Sequence, residues 1–402
     1  MDIIRNTDVA ESYHVSDPTV GKWISASLSG KNNLQVKEVK GRYFILDNEN
    51  NHRELKFLSQ KGKKYKNKIG LKKHTVDQSI SSIFSESQMV ELITNLKSKK
   101  QIPLKFSYLN KGSDFWVKYI EADLSYGQDG RSYMLEAISL IEANINYLKF
   151  RFSQYRRINI VDIFPGNAIL SKVFISELLK YGFEVEYTAY DISENMLQIL
   201  KKNLTEIFPN IEIKTEIGDL DYMVIRDKLF FNKSPHAPGK SCNLVLLLNS
   251  IIGNTSDRHR VLKNIRDSMT SDDFLLIHNG LKYEGEHAEL DGMTKNKWIL
   301  TKCLWIPEAI GLTKDTYKIV SKFDEKTESR VIVLALVKDV EIRLKVQNKI
   351  EEIKFSRGDE ITVWNYYSYT LTGFINELNK SGFETIHVTT YPDKSEAFIL
   401  CE

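Results

Sequence analysis

Residues 158–168 read INIVDIFPGNA, an apolar run that ends on an aspartate and opens into a loop holding a single glycine. The same pattern recurs along the chain in SKVFISELLKYG (171–182), VEYTAYDI (185–192), SENMLQILKKNL (193–204), IEIKTEIGDL (211–220), NLVLLLNS (243–250) and FLLIHNG (274–280). Near-continuous apolar strands alternating with helices predict a parallel sheet covered on both faces, an α/β doubly wound, Rossmann-like core. Such sheets bind ligands beyond the carboxyl ends of their strands, so the residues delivered there are the candidates.

The first strand delivers Asp162 and Gly166, where a glycine lets a ligand approach the start of the next helix. The second delivers Asp191, able to accept both ribose hydroxyls, followed by Ser193 as helix cap. The third ends at Asp219 and Leu220, placed for an adenine, and the fourth at Asn249 through Asn254. Each residue has an ordinary reading as a loop or cap group. Four consecutive strand ends together point to a bound nucleoside, with neither a 2′-phosphate partner nor a Walker lysine.

The 402 residues contain 42% apolar and 27% charged side chains, which excludes collagen-like and wholly disordered classes. The net charge is only +3, but residues 1–75 hold 15 Lys/Arg against 8 Asp/Glu, so the basic charge is at the front. Three dispersed cysteines, Cys242, Cys303 and Cys401, suit a reducing compartment and predict no metal site. No apolar run approaches the ~18 residues of a membrane span and no signal-peptide pattern opens the chain, so a cytoplasmic protein without membrane partners is expected.

Residues 6–28 read as two helices about a tight turn, with Val9, Ala10, Tyr13, Val20, Trp23, Ile24 and Leu28 inward, Val15 in the turn and Ser16 as cap. VKEVKGRYFILD (36–47) reads as a hairpin around Lys40-Gly41. VSDPTVGKWI followed by GRYFI resembles the winged helix-turn-helix modules of excisionases and MerR-like regulators. The resemblance implies DNA contact by Thr19, Lys22 and Ser25 on the second helix and by Arg42 on the wing. Eight lysines between Lys56 and Lys73 could neutralise phosphates, or serve as a solvated linker. Such modules also dock proteins, and they commonly dimerise on palindromes, so a homodimer is admissible although no heptad seam is present.

Residues 85–97 read as a helix with Met89, Leu92, Ile93 and Leu96 on one face, and FSYLNKGSDFWVKYIEAD (106–123) as strands around a Gly-Ser turn. Its aromatics Phe106, Tyr108, Phe115, Trp116 and Tyr119 are expected in the core. A long helix is expected from Arg131 to Phe150.

The core resembles the class I S-adenosylmethionine (SAM)-dependent methyltransferases. LLLNSIIGN (246–254), FLLIHNGL (274–281), FSRGDEI (355–361) and SGFETIHVTTYPDKSEAFIL (381–400) are similar to the histidine-specific methyltransferases, which trimethylate the α-amino group of histidine. The likeness runs from about Asn159 to Glu402. It implies an α+β substrate domain inserted late in the sheet, hence the organisation 1–70 winged module with basic tail, 71–130 connector, 131–282 Rossmann core, 283–363 insert and 364–402 return.

The resemblance further implies SAM as cofactor, with Gly166 against its methionine part, Asp191 on the ribose, and Asp219 and Leu220 on the adenine; Asp162 and Asn249 are further cofactor-binding candidates. Asn254 matches the asparagine that binds the substrate amine. Three features depart from the family. Phe164 stands in place of its first loop glycine and is expected to crowd the cofactor. Trp364 and Tyr366 replace the acidic residue and serine that grip imidazole. Its tyrosine-tyrosine-proline motif has no counterpart.

A small-molecule amine or amino-acid derivative other than free histidine is therefore the expected acceptor, oriented by Asn254 and Tyr366 as catalytic candidates with Trp364 in the pocket. WNYYSY (364–369) could hold an alkylammonium by cation–π attraction or stack on a base, or pack in the core. The competing readings are a DNA-binding regulator with a silent, SAM-sensing domain, and a nucleic-acid methyltransferase, for which the D/N-P-P-Y/F/W motif is missing.

Overall fold

The computed structural model describes residues 3–13, 17–39, 42–56, 58, 74–75, 83–126, 132–222, 229, 240–255, 257–282, 297–325, 327–346 and 349–402. It divides into two compact units, Met1–His74 and Thr75–Glu402.

In the first unit, helices Asn6–Ser12 and Asp17–Leu28 precede strands β2 (Val36–Val39) and β3 (Arg42–Leu46), and a helix covers 49–56. The two-residue β1 (Ile3–Ile4) pairs antiparallel with β3, giving the order β1-β3-β2. Val9, Ala10, Val20, Ile24, Leu34, Ile45 and Leu55 form its core. Leu28, expected inside, is 53% exposed because it ends its helix beyond that core. Val15, Ser16, the Lys40-Gly41 turn and nearly all of the lysine run lie outside the described residues.

The second unit opens beyond the short strand β4 (His74–Thr75) with helix Glu86–Lys99. Ser85 caps it reciprocally: its hydroxyl accepts from Gln88 N at 3.3 Å and its own N–H donates to Gln88 Oε1 at 2.8 Å, a box worth about 1 kcal/mol. Met89, Leu92, Ile93 and Leu96 are all buried, as their spacing predicts.

The segment read as strands is helical: a 3₁₀ turn, Leu104–Tyr108, then helix Lys111–Tyr126. Phe115, Trp116, Tyr119 and Ile120 recur at helical spacing, and Gly112 marks close approach instead of a turn, since a Cβ there would collide with the Ser107 carbonyl. The next helix is Tyr133–Phe152, capped by Ser132; Arg131 is outside the described residues.

Strands β5 (Arg157–Ile163), β6 (Glu184–Asp191), β7 (Ile213–Ile217), β8 (Ser241–Leu247) and β9 (Phe274–Gly280) pair in parallel. After the insertion, β15 (Thr385–Thr390) and β16 (Glu396–Cys401) join antiparallel, completing a seven-stranded sheet ordered β15-β16-β9-β8-β5-β6-β7. Helices Tyr133–Phe152, Ile169–Lys180 and Glu194–Ile207 cover one face; Arg258–Ser268 and Leu371–Lys380 cover the other. Burial on both faces explains the unbroken apolar strands, and each enclosed Phe174, Phe274 or Phe398 contributes roughly 1.5–3 kcal/mol.

The inserted part holds helix Lys297–Ala309, β10 (Tyr317–Asp324), β11 (Ser329–Leu336), β12 (Val340–Val346), β13 (Lys349–Phe355) and β14 (Glu360–Tyr367). β10, β11 and β14 form one antiparallel sheet, and β12 pairs with β13. β14 extends through Trp364 to Tyr367, with its pairing to β11 shifting register at Val363, so the aromatic stretch begins on the edge strand of the inserted sheet. Among the described residues no helix is long and apolar enough to cross a membrane.

Candidate active site

The loop after β5 has left-handed backbone at every second residue: Phe164 (φ 56°), Gly166 (φ 62°) and Ala168 (φ 65°). A glycine-loop backbone is thus retained with only one glycine, at a strain cost of about 1–3 kcal/mol for each non-glycine residue so held. The Phe164 ring packs against both the insert's core and the rear face of the main sheet, and its N–H donates to Tyr190 O at 2.7 Å. Gly166 lies under Trp116, whose indole nitrogen would stand 2.7 Å from a Cβ at that position.

Asp162 is fully buried inside the sheet layer, its Oδ2 accepting from the Ser171 and Tyr187 hydroxyls, while Oδ1 has no hydrogen-bond partner. Burial pushes this carboxyl up to about 6, against the lowering effect of those two bonds. Asp191 ends β6 with Oδ1 accepting the Ser193 N–H at 2.9 Å, and burial pushes it up to about 7. Ser193 caps the next helix, and its hydroxyl also pairs with Ser113 at 2.8 Å.

Beyond β7, Asp219 has a partner that sequence reading missed. Lys105 Nζ lies 2.6 Å from Asp219 Oδ2, 2.8 Å from Glu91 Oε1 and 3.7 Å from Asp221 Oδ2, with the Tyr222 ring 4.6 Å away. Burial lowers the Lys105 ammonium, but its bonds to Asp219 and Glu91 outweigh that and raise it overall. Since Asp219 Oδ1 accepts the Asp221 N–H at 3.0 Å, both oxygens are engaged. Leu220 beside it is buried.

At the end of β8, Asn249 (φ 60°) and Ser250 (φ 56°) are also left-handed. Asn249 Nδ2 reaches Pro165 O at 3.4 Å, tying this strand end to the glycine loop, and its buried Oδ1 has no partner. Asn254 closes the 3₁₀ turn Ile251–Asn254, half-buried. Tyr366 packs on that turn, because a Cβ on Gly253 would overlap its ring. Its hydroxyl donates to Gly280 O at 3.3 Å, and Trp364 stacks on it at 6.0 Å. The Leu281–Tyr369 bridge brings this segment back beside β9.

Sequence reading also missed a polar cluster here. The Ser250 hydroxyl accepts the Gly280 N–H at 2.8 Å and pairs with Tyr133 OH at 2.9 Å. The Tyr133 ring lies 5.6 Å from His278, whose Nε2 is 3.0 Å from buried Glu396. Burial raises the phenols of Tyr119, Tyr133 and Tyr366, the last to about 12, and the charge of Glu396 adds to the rise in each. Tyr133, Ser250 and Glu396 are scattered over more than 250 residues, so no local motif could tie them to Tyr366.

SAM can be tested against this site. Orphaned acceptors at Asp162 and Asn249, a strained loop around Gly166, and a carboxylate at the end of β6 fit a nucleoside with an amino-acid tail. A family described as "Histidine-specific methyltransferase, SAM-dependent" matches residues 87–402. The chain belongs to this family. It is a SAM-dependent methyltransferase with a Rossmann-like fold and a mixed central sheet. The match begins well before Asn159, so the helices at 86–99 and 111–126 are part of the family domain.

No curated protein matches the chain in sequence. Among solved structures it is similar to a SAM-dependent methyltransferase from Clostridium acetobutylicum ATCC 824, at 9% identity over 73% of this chain and 99% of that one, with TM-score 0.36. It is also similar to magnesium protoporphyrin IX methyltransferase from Synechocystis PCC 6803, at 12% identity over 73% and 95%, with TM-score 0.38. The glycopeptide N-methyltransferase MtfA shares 12% identity over 65% and 89%, with TM-score 0.32.

Proposed function

We propose that this methyltransferase N-methylates an amine on a small molecule or amino-acid derivative other than free histidine. The observation that carries the reading is the aromatic and electronegative mouth beyond β8 and β9. Trp364 is buried in the core and backs the Tyr366 ring, Tyr366 and Tyr133 are the partly buried aromatics there, and the field of Glu396 reaches three phenols. Such a wall attracts an alkylammonium by about 0.5–2 kcal/mol per well-placed ring.

Bound SAM would supply an electrophilic methyl on a sulfonium: the acceptor lone pair would attack that carbon, S-adenosylhomocysteine would leave with the electrons of the broken C–S bond, and the amine would lose one proton. Asp191 would hold the ribose, Leu220 would border the adenine, and the Gly166 loop with Asn249 would cradle the methionine part. Asn254 would orient the amine, Tyr366 would fix its approach, and the hydrogen-bonded Tyr133–Ser250 hydroxyl pair would pass on the proton. Positioning carries most of such a reaction. Incubation with methyl-labelled SAM and a panel of amines that includes histidine tests the reading; efficient trimethylation of histidine would sink it.

The first unit supports a second role. We infer that it is a winged helix-turn-helix that brings DNA to the chain. Lys22 and Ser25 are exposed on the second helix, Thr19 is half-buried there, and Arg42 is exposed at the start of β3. In a gel shift, Lys22→Ala and Arg42→Ala each should lower affinity and shallow the salt dependence by about one unit of slope. Absence of DNA binding at about 50 mM salt, where such contacts are strongest, would remove this role and leave a protein-docking module.

A further inference from the structure

Lys302 is 5% exposed, on helix Lys297–Ala309. Among the described residues no carboxylate lies within ion-pair distance of it. Its ammonium donates to Tyr108 OH at 3.1 Å and sits 4.5 Å from the Tyr108 ring and 4.9 Å from the Trp116 ring. An ammonium withdrawn from water with only one neutral oxygen and two ring faces is poorly compensated, and a missing anion is the simplest complement. The neighbouring Trp116 indole N–H donates to no group among the described residues and is aimed at the left-handed Gly166. An ammonium with two N–H groups to spare thus lies against the indole whose unspent N–H faces the glycine loop.

We propose that Lys302, with the Trp116 indole, forms a carboxylate subsite, and that its occupant is the methionine carboxylate of SAM. The proposal rests on the cofactor reading of the Gly166 loop. It places recognition of the amino-acid tail on the inserted substrate domain, so the insert contributes to cofactor binding as well as to acceptor binding. Tyr108 fixes the lysine: its hydroxyl accepts from Nζ and its ring stands edge-on to Trp116 at 5.7 Å.

The test is calorimetric titration of the full chain and of Lys302→Met with two ligands, S-adenosylhomocysteine and 5′-methylthioadenosine, which lacks the whole amino-acid tail, so that the Lys302→Met comparison isolates the carboxylate's share. In the wild type the homocysteine compound should bind ~10-fold or more tighter, the effect of one charge-assisted bond. In Lys302→Met that preference should collapse while 5′-methylthioadenosine is unaffected. Unchanged homocysteine binding in Lys302→Met would overturn the proposal and leave the lysine to an acceptor or to packing alone. A wild type that binds neither ligand would instead sink the cofactor reading. Should Lys302→Met fail to fold, Trp116→Phe keeps the ring, removes the N–H and is read in the same way.

Discussion

At the ends of β5 and β6, the candidate cofactor groups lie close together in sequence, on loops shaped by their own backbone: Asp162, Gly166, Asp191 and Ser193. At the ends of β8 and β9 the groups come from a helix at Tyr133, a turn at Ser250, the inserted sheet at Tyr366 and the last strand at Glu396. The first half is local and strained; the second is assembled from distant elements by packing. A local half can be abolished by one side chain, whereas an assembled half should degrade in steps.

The largest expected effect is therefore Asp191→Ala. Losing a carboxylate that accepts two ribose hydroxyls should cost about 3 kcal/mol, ~100-fold in SAM affinity by calorimetry. Because burial raises Asp191 to about 7 and binding needs the ionised acceptor, wild-type affinity should fall as pH drops through that value. At about pH 6 it should be ~10-fold weaker than at about pH 8, and Asp191→Asn should flatten that profile. A flat wild-type profile would show that the ribose is held elsewhere.

Gly253→Ala probes the assembled half. The added methyl must push Tyr366 off the turn that carries Asn254. Methyl transfer should fall ~10–100-fold while S-adenosylhomocysteine affinity stays within ~2-fold, since a misplacement of about 1 Å costs about that much rate. Equal loss of both would mean that the two halves are not separable.

Much of the first half was legible in the sequence. Apolar strands covered on both faces read as unbroken runs, and the residues that terminate them are chemically distinctive, so Asp191 and Gly166 emerge as candidates from that pattern, whereas Asn254 beyond β8 was singled out by the family resemblance. The 106–123 segment was misread because Gly112 and Ser113 look like a turn, while the glycine is required by the Ser107 carbonyl. Lys105 and Lys302 were invisible, and Trp116 was read only as core, for another reason: a lone lysine or tryptophan in a helical turn gives no sign of what it faces. Leu28 shows the converse error, since periodicity continues past the end of the core that gives it meaning.

Asp219 gives a smaller effect and sharpens the comparison inside the first half. Its oxygens are held by Lys105 and the Asp221 N–H, so in the proposed cofactor site adenine recognition would lean on Leu220 and the local backbone. Asp219→Asn should change SAM affinity by no more than ~5-fold, well short of Asp191→Asn, since one partial bond to a neutral amide remains possible. A loss matching that of Asp191→Asn would mean that Lys105 yields the carboxylate when the nucleoside arrives.

The last effect concerns stability and not binding, at Asp162. Its carboxyl is raised by burial from 3.8 to about 6, so the ionised form is disfavoured in the folded chain relative to the unfolded one. A raised carboxylate destabilises once it ionises: its penalty is absent below about pH 4, grows as pH climbs to about 6 and is constant above. Asp162→Asn removes the charge while its amide oxygen can still accept from Ser171 or Tyr187. Thermal melts should show the variant's advantage over wild type increasing from about pH 4.5 to about pH 6.5 by a few degrees, ~1–2 kcal/mol after the lost second bond is set against the relieved charge. If the difference shrinks over that interval, the Ser171 and Tyr187 bonds outweigh burial. Asp162 would then be a stabilising anchor of the loop backbone, and the strain at Phe164 and Ala168 would be sustained from within the sheet without help from the ligand.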